Sequence, residues 1–191
     1  MGLPDRIRAF SPWNAQEAAD RELMLRHLAR YDDLLTRENP VMHFTASGWV
    51  VSPDRQQVLM VYHNIYQSWS WTGGHADGEE DLLSVALREV GEETGLLDVR
   101  PRSSDIFSLE ILGVNAHVKR GQHVSTHLHL NATFLLEADP AQPLRVKPDE
   151  NSAVAWIPAA EVVARSSEPD MRVVYRKLME KLQAFSNNYE E

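Results

Sequence analysis

The sequence predicts an α/β fold in which a mixed sheet is flanked by helices. Three stretches carry that expectation: apolar residues at helical spacing after Asn14, strict alternation from Ser125 to Leu136, and an acidic segment over 73–96 that opens with glycines and turns helical. With 191 residues the chain can bury one sizeable core, so the expected organisation is a helical extension over 1–40 and one domain over 41–191.

Asn14, with Glu17 three residues on, reads as a capping box, and Met24, His27, Leu28, Tyr31, Leu34 and Leu35 continue the helical spacing to about residue 36. Asn39-Pro40 stops that helix, because the residue before a proline is pushed out of the helical region. Val41 to Val51 is then rich in β-branched and aromatic residues, and Pro53-Asp54 supplies turn chemistry before Gln57 to Tyr62, so a hairpin is expected. Further on, Ile106 to Val118 reads as a long strand with Gly113 as a candidate bulge. In the alternating segment Leu128, Leu130, Ala132, Phe134 and Leu136 share the core face, while Ser125, His127, His129, Asn131 and Thr133 face solvent or a cleft. A short strand over Ala153 to Ile157, a short helix over Pro158 to Ala164 and a final helix over about 170–185 complete the reading.

Composition excludes several chemistries. The chain has no cysteine, which removes disulfides, thiolate nucleophiles and sulfur-ligated metal centres, so any metal must use oxygen or nitrogen donors. Nineteen Lys and Arg against 28 Asp and Glu give a formal charge of −9, which argues against a nucleic-acid polymer as partner. No apolar run approaches the roughly 18 residues of a membrane span, and Met1 to Arg6 does not read as a signal peptide, so a cytoplasmic protein is expected.

The segment over 73–96 reads GGHADGEEDLLSVALREVGEETGL. Asp77 with Glu80 is expected to cap its helix, Leu83, Ala86, Leu87 and Val90 to form the buried stripe, and Gly95 with Leu96 to end it in a Schellman stop. Glu89, Glu92 and Glu93 lie at i, i+3 and i+4, and at about 100° per residue they share one side of the helix. Like charges at that spacing cost helix stability, so the arrangement is better explained by a hard divalent cation, Mg²⁺ or Mn²⁺, which in turn binds phosphate oxygens.

Gly74, Glu80, Arg88, Glu89, Val90, Glu92, Glu93, Gly95 and Leu96 fill every defining position of G-x5-E-x7-R-E-U-x-E-E-x-G-U, with U aliphatic. This resembles the box of the Nudix hydrolases, and the resemblance extends over roughly 41–165 through the Asp149-Glu150, Trp156-Ile157-Pro158 and Glu161 stretch. The resemblance implies an α/β/α sandwich that hydrolyses a small nucleoside diphosphate derivative, such as a nucleotide sugar, an ADP-ribose-like compound or a nucleoside triphosphate, by water attack on phosphorus. It further implies that Glu89, Glu92, Glu93 and the Gly74 carbonyl hold the metal, that Arg88 positions the carboxylates and that Glu80 supports the loop. Glu150, or failing it Asp149, is the carboxylate outside the box that would complete the site or act as base. Thr72 stands where members of the family often have proline, which bears on loop geometry.

For the substrate, Trp69 and Trp71, with Tyr66, offer stacking surfaces or core packing, His75 follows the glycines within reach of phosphate, and His127 and His129 face outward together. A zinc site of His123, His127 and His129 is a further option. The N-terminal helix reads as packing or a homodimer contact. The rival to catalysis is a non-catalytic nucleotide-binding or sensor domain of the same fold.

Overall fold

At the N-terminus Pro4 sits in the first turn of a helix that no periodicity announced, α1 (Leu3–Ala9), where its fixed backbone angle suits helix entry. The computed structural model describes residues 2–119 and 121–187. Asn14 caps α2 (Ala15–Leu28), its side chain accepting from the Glu17 amide at 2.9 Å, while Glu17 reaches back to the Trp13 amide at 2.7 Å. The helix ends well short of residue 36. Asp33 takes the Thr36 amide and hydroxyl on its carbonyl and the Asn39 side chain on its carboxylate, and such side-chain and turn bonds compete with helix continuation.

The strands are β1 (Met42–Val51), β2 (Gln57–His63), β3 (Ser68–Ser70), β4 (Thr72–His75), β5 (Val99–Pro101), β6 (Ser108–Val114), β7 (His117–Lys119), β8 (Gln122–Val124), β9 (His127–Ala138) and β10 (Asn151–Pro158). Eight of them pair in the order β10-β2-β1-β9-β5, with β3 on β2, β4 on β1 and β6 on β9, while β7 and β8 form a separate pair. The remaining helices are α3 (Leu82–Thr94), α4 (Val162–Arg165) and α5 (Pro169–Asn187). A mixed sheet with helices, including one near each end, is thus the architecture, as expected. No helix among the described residues is long and apolar enough to cross a membrane.

Two units divide the chain, and β1, β4, α3 and β9 contribute residues to both. The first holds 1–47, 73–87 and 103–134. There α2 packs on β6: Gln16 donates to the Leu109 carbonyl at 3.0 Å and Asp20 accepts from the Ile111 amide at 2.9 Å. The β6–β9 register runs without interruption from Ser108↔Thr133 to Val114↔His127, so Gly113 makes no bulge, and β6 ends four residues before the predicted Val118. The polar side of β9 is not solvated. Asn131 accepts from Thr45 and Ser47 at 3.0 and 2.9 Å and donates to Glu110 at 3.2 Å, and the Ser108 hydroxyl bonds both Glu17 and Glu110. Partners from β1, β6 and α2 satisfy these groups, and that lets the strand be buried on both faces.

The second unit holds 48–72, 88–102 and 135–191. Its hairpin pairs Val51 with Val58, and β10 runs antiparallel to β2 from Asn151 to Pro158. Trp49 and Tyr175, both fully buried, stack with centroids 5.4 Å apart and tie α5 to the sheet.

Candidate active site

Helix α3 starts at Leu82, five residues after Asp77, which sits at φ 48° in the preceding loop with its carboxylate bonded to Arg37 at 2.6 and 2.8 Å. The cap is supplied by Asp81 instead, which accepts from the Leu83 amide at 3.3 Å and the Ser84 hydroxyl at 2.8 Å. With the later start, the buried stripe is Leu82, Val85, Ala86 and Val90, and Leu83 and Leu87 are half-buried. Gly95, at φ 77°, stops the helix by donating to the Gly91 carbonyl at 2.9 Å, while the Leu96 amide turns to the Thr94 hydroxyl at 3.3 Å. That is the single-bond left-handed stop, not the Schellman pair.

Glu89, Glu92 and Glu93 share the last turns of α3 but differ in exposure: Glu92 is open, the Glu89 side chain is 14% exposed and Glu93 is buried. Arg88 donates to Glu89 at 3.3 Å and lies 3.9 Å from Glu92. On the far side Lys147 bridges Glu92 at 3.3 Å and Glu150 at 3.1 Å, so Glu150 joins the helix carboxylates within the second unit. Asp149 is exposed. Asn151, next to Glu150, donates to the Glu93 carbonyl at 3.0 Å and anchors this segment to the helix.

Burial, and then the charge of Glu92, push the Glu89 carboxyl above its ordinary range against the pull of Arg88 and Lys147. Burial works to lower the Lys147 ammonium, but the hydrogen bond and charge of Glu150, and then Glu92, outweigh it and raise it. Glu89, Glu92, Glu93 and Glu150 offer hard carboxylate oxygens, a donor set that fits Mg²⁺ or Mn²⁺.

The glycine loop lies in the first unit. A Cβ on Gly73 would stand 2.6 Å from the Ala46 carbonyl oxygen, so only glycine lets β4 approach β1 this closely. Glu80 accepts from the Leu3 amide at 2.8 Å, which ties the loop to α1. At the position where proline is common, Thr72 is fully buried and donates to the Gly48 carbonyl at 3.3 Å.

Trp69 and Trp71 are half-buried in the second unit and pack edge-on, Trp69 against Tyr62 and Trp71 against Tyr175, with centroids 5.7 Å apart in each case. Tyr66 is exposed beside His63. In the first unit His75, His127 and His129 come together with His43, a residue the sequence reading missed. Centroids of neighbouring rings lie 5.0–5.2 Å apart. Burial, reinforced by the neighbouring imidazoles, lowers His129 to about 2, so its ring is neutral at ordinary pH. His123 lies exposed on β8, and among the described residues it is not part of this cluster.

A family model described as NUDIX domain matches residues 42–181, well over half of the chain. The chain belongs to the Nudix family. Members of this family act on pyrophosphate bonds of small nucleotides and generally use divalent metals. Nudix neighbours among solved structures include an Ap4A hydrolase from C. elegans, at 16% identity over 76% of this chain and 98% of that one, with a TM-score of 0.56. The E. coli dihydroneopterin triphosphate pyrophosphohydrolase follows at 17% identity, 70% and 92% coverage and a TM-score of 0.53. The MutT protein of Methanosarcina mazei Go1 is 14% identical, covering 72% and 93%, with a TM-score of 0.56. At such identities these neighbours establish the Nudix fold and not a shared substrate. A comparison with curated proteins returned no significant match.

Proposed function

We propose that this Nudix protein is a cytoplasmic hydrolase that cleaves the pyrophosphate bond of a small nucleoside diphosphate derivative. The reading is supported chiefly by one observation: Glu150 is joined through Lys147 to Glu92 on the helix that also carries Glu89 and Glu93. Glu89, Glu92 and Glu93 would hold Mg²⁺ or Mn²⁺. When bound, such an ion would supply electrostatic stabilisation to the phosphate oxygens and help activate the attacking water.

Each side chain then has a task. Arg88 orients Glu89 and Glu92 by its two contacts. Glu150 takes the proton from the attacking water as the new phosphorus–oxygen bond forms, and the bridging oxygen leaves with the second phosphate group. Lys147 holds the Glu150 carboxylate toward the helix through its ion pairs with Glu150 and Glu92, and it is the residue that would yield as a divalent cation enters. Trp69 and Trp71 would offer half-buried ring faces for a nucleobase. Within the first unit, His75, His127 and His129 would offer ring nitrogens to a phosphate oxygen.

The test is a panel of nucleotide sugars, ADP-ribose, nucleoside triphosphates, Ap4A and dihydroneopterin triphosphate with Mg²⁺, scored for released phosphate products. Glu93→Gln should lower turnover by at least about a hundredfold, as loss of a group that stabilises transition-state charge does. Absence of turnover with every compound, or turnover indifferent to that substitution, overturns the assignment. Nucleotide that binds and is recovered unchanged would instead favour the non-catalytic binding domain.

A further inference from the structure

We propose that His43, His75 and His129 form a second metal site, for a zinc-class divalent transition ion held by three neutral imidazoles with a fourth position open to an oxygen ligand. The residues come from three strands, β1, β4 and β9, and each offers a ring nitrogen within 4.8 Å of the others. Tetrahedral zinc with bonds of about 2.0–2.1 Å needs ligand nitrogens about 3.3 Å apart, so side-chain rotation of roughly 1.5 Å or less closes the set.

The hydrogen bonds prepare two of these rings. His43 Nδ1 lies 3.1 Å from the Asn39 carbonyl oxygen, which can only accept, so Nδ1 carries the proton and Nε2 presents a lone pair. That Nε2 is buried and has no hydrogen-bond partner. An unmet buried polar atom destabilises the fold, and metal ligation would remove that penalty. His127 Nδ1 lies 2.8 Å from the Ser125 carbonyl by the same logic, leaving its Nε2 to accept from His129 Nε2 at 3.2 Å. His129 then presents Nδ1 as a ligand. A ring that donates its second N–H to a carbonyl or another acceptor is the usual outer support of metal-bound histidine.

The donor chemistry separates this site from the carboxylate helix. No carboxylate belongs to the set, and Asp77, the acidic group near His43, is engaged by Arg37. Imidazole without carboxylate selects zinc-like ions over magnesium. The proposal therefore stands whether or not the chain hydrolyses nucleotides. If the site is filled, His75 and His129 meet a substrate oxygen through the ion and not by direct contact.

The experiment uses chelator-stripped full-length protein, titrated with zinc against a chromophoric competitor, with X-ray absorption measured on the zinc-loaded wild type. With excess magnesium present to occupy the carboxylate helix, one tight zinc per chain is expected, with a first shell at about 2.0–2.1 Å and the outer scattering of imidazole rings. His129→Ala and His75→Gln should each weaken zinc binding by more than about a hundredfold, and His127→Ala by about 10–100-fold, while the Glu92→Gln/Glu93→Gln double variant keeps wild-type affinity. No zinc uptake, a first shell of carboxylate oxygens without imidazole scattering, or zinc lost in the glutamate variant and kept in the histidine variants overturns the proposal. Should the histidine variants unfold by circular dichroism, the absorption spectrum of the wild type decides alone.

Discussion

Replacing Gly73 by alanine is the sharpest probe of how the loop is built. The added Cβ would lie 2.6 Å from the Ala46 carbonyl oxygen, 2.7 Å from Ser47 Oγ and 3.0 Å from Ser47 Cα. Ordinary contact begins near 3.5 Å, so about 0.5–0.9 Å must be found against backbone atoms that cannot rotate away. Ser47 Oγ can turn aside, but only by giving up its 2.9 Å bond to Asn131. Overpacking costs about 1–3 kcal/mol and the lost hydrogen bond about 0.5–1.5 kcal/mol, together roughly 2–4 kcal/mol. In a chain of this length that lowers Tm by about 5–15 °C, readable in urea and thermal unfolding followed by circular dichroism. Because β4 carries Gly74 and His75, a displacement approaching 1 Å should also lower turnover by roughly tenfold to a hundredfold. An alanine variant with wild-type unfolding midpoint and wild-type turnover would refute the close approach of β4 to β1.

Other outcomes follow from the same geometry. Gly95→Ala places a side chain at φ 77° and a Cβ 2.9 Å from Arg145 Cβ, so urea titration should show a loss of about 1–3 kcal/mol with the m-value unchanged. At Asp81, burial favours the neutral acid, but the Ser84 hydroxyl and Arg6 guanidinium hold the carboxyl below its ordinary value. The stability this contributes is complete above about pH 3.9 and is lost as pH falls through the depressed value, so Asp81→Asn, which keeps a capping oxygen, should show a flatter acid limb in midpoint against pH. Glu89→Gln removes a charge that burial and Glu92 oppose, so the metal-free variant should melt no lower than wild type. With magnesium a hundredfold above its Kd, wild type should gain about 2.7 kcal/mol and the variant clearly less, and equal gains would exclude Glu89 as a ligand.

Local features were legible in the sequence because their causes lie within a few residues. The Asn14 cap, the hairpin over 42–63 and the spacing of Glu89, Glu92 and Glu93 on one helix depend on backbone periodicity and short-range hydrogen bonds. Helix α1 escaped notice because seven residues hold too few turns to show a period. The Asp77 cap failed because Arg37, forty residues upstream, claims the Asp77 carboxylate, and the helix begins only after Asp81.

The box alone determined the family and put three glutamates on one side of a single helix, since fixed spacing on a helix fixes direction. Tertiary structure decided which distant groups join that helix and which polar faces are buried. Glu150 reaches the carboxylates only because Lys147 and Asn151 fold back onto α3. The outward side of β9 became interior because Thr45, Ser47 and Glu110 arrive with matching donors and acceptors, and His43 and His75 meet His129 through strand pairing across dozens of residues. Such meetings depend on strand order and register, which no local pattern encodes.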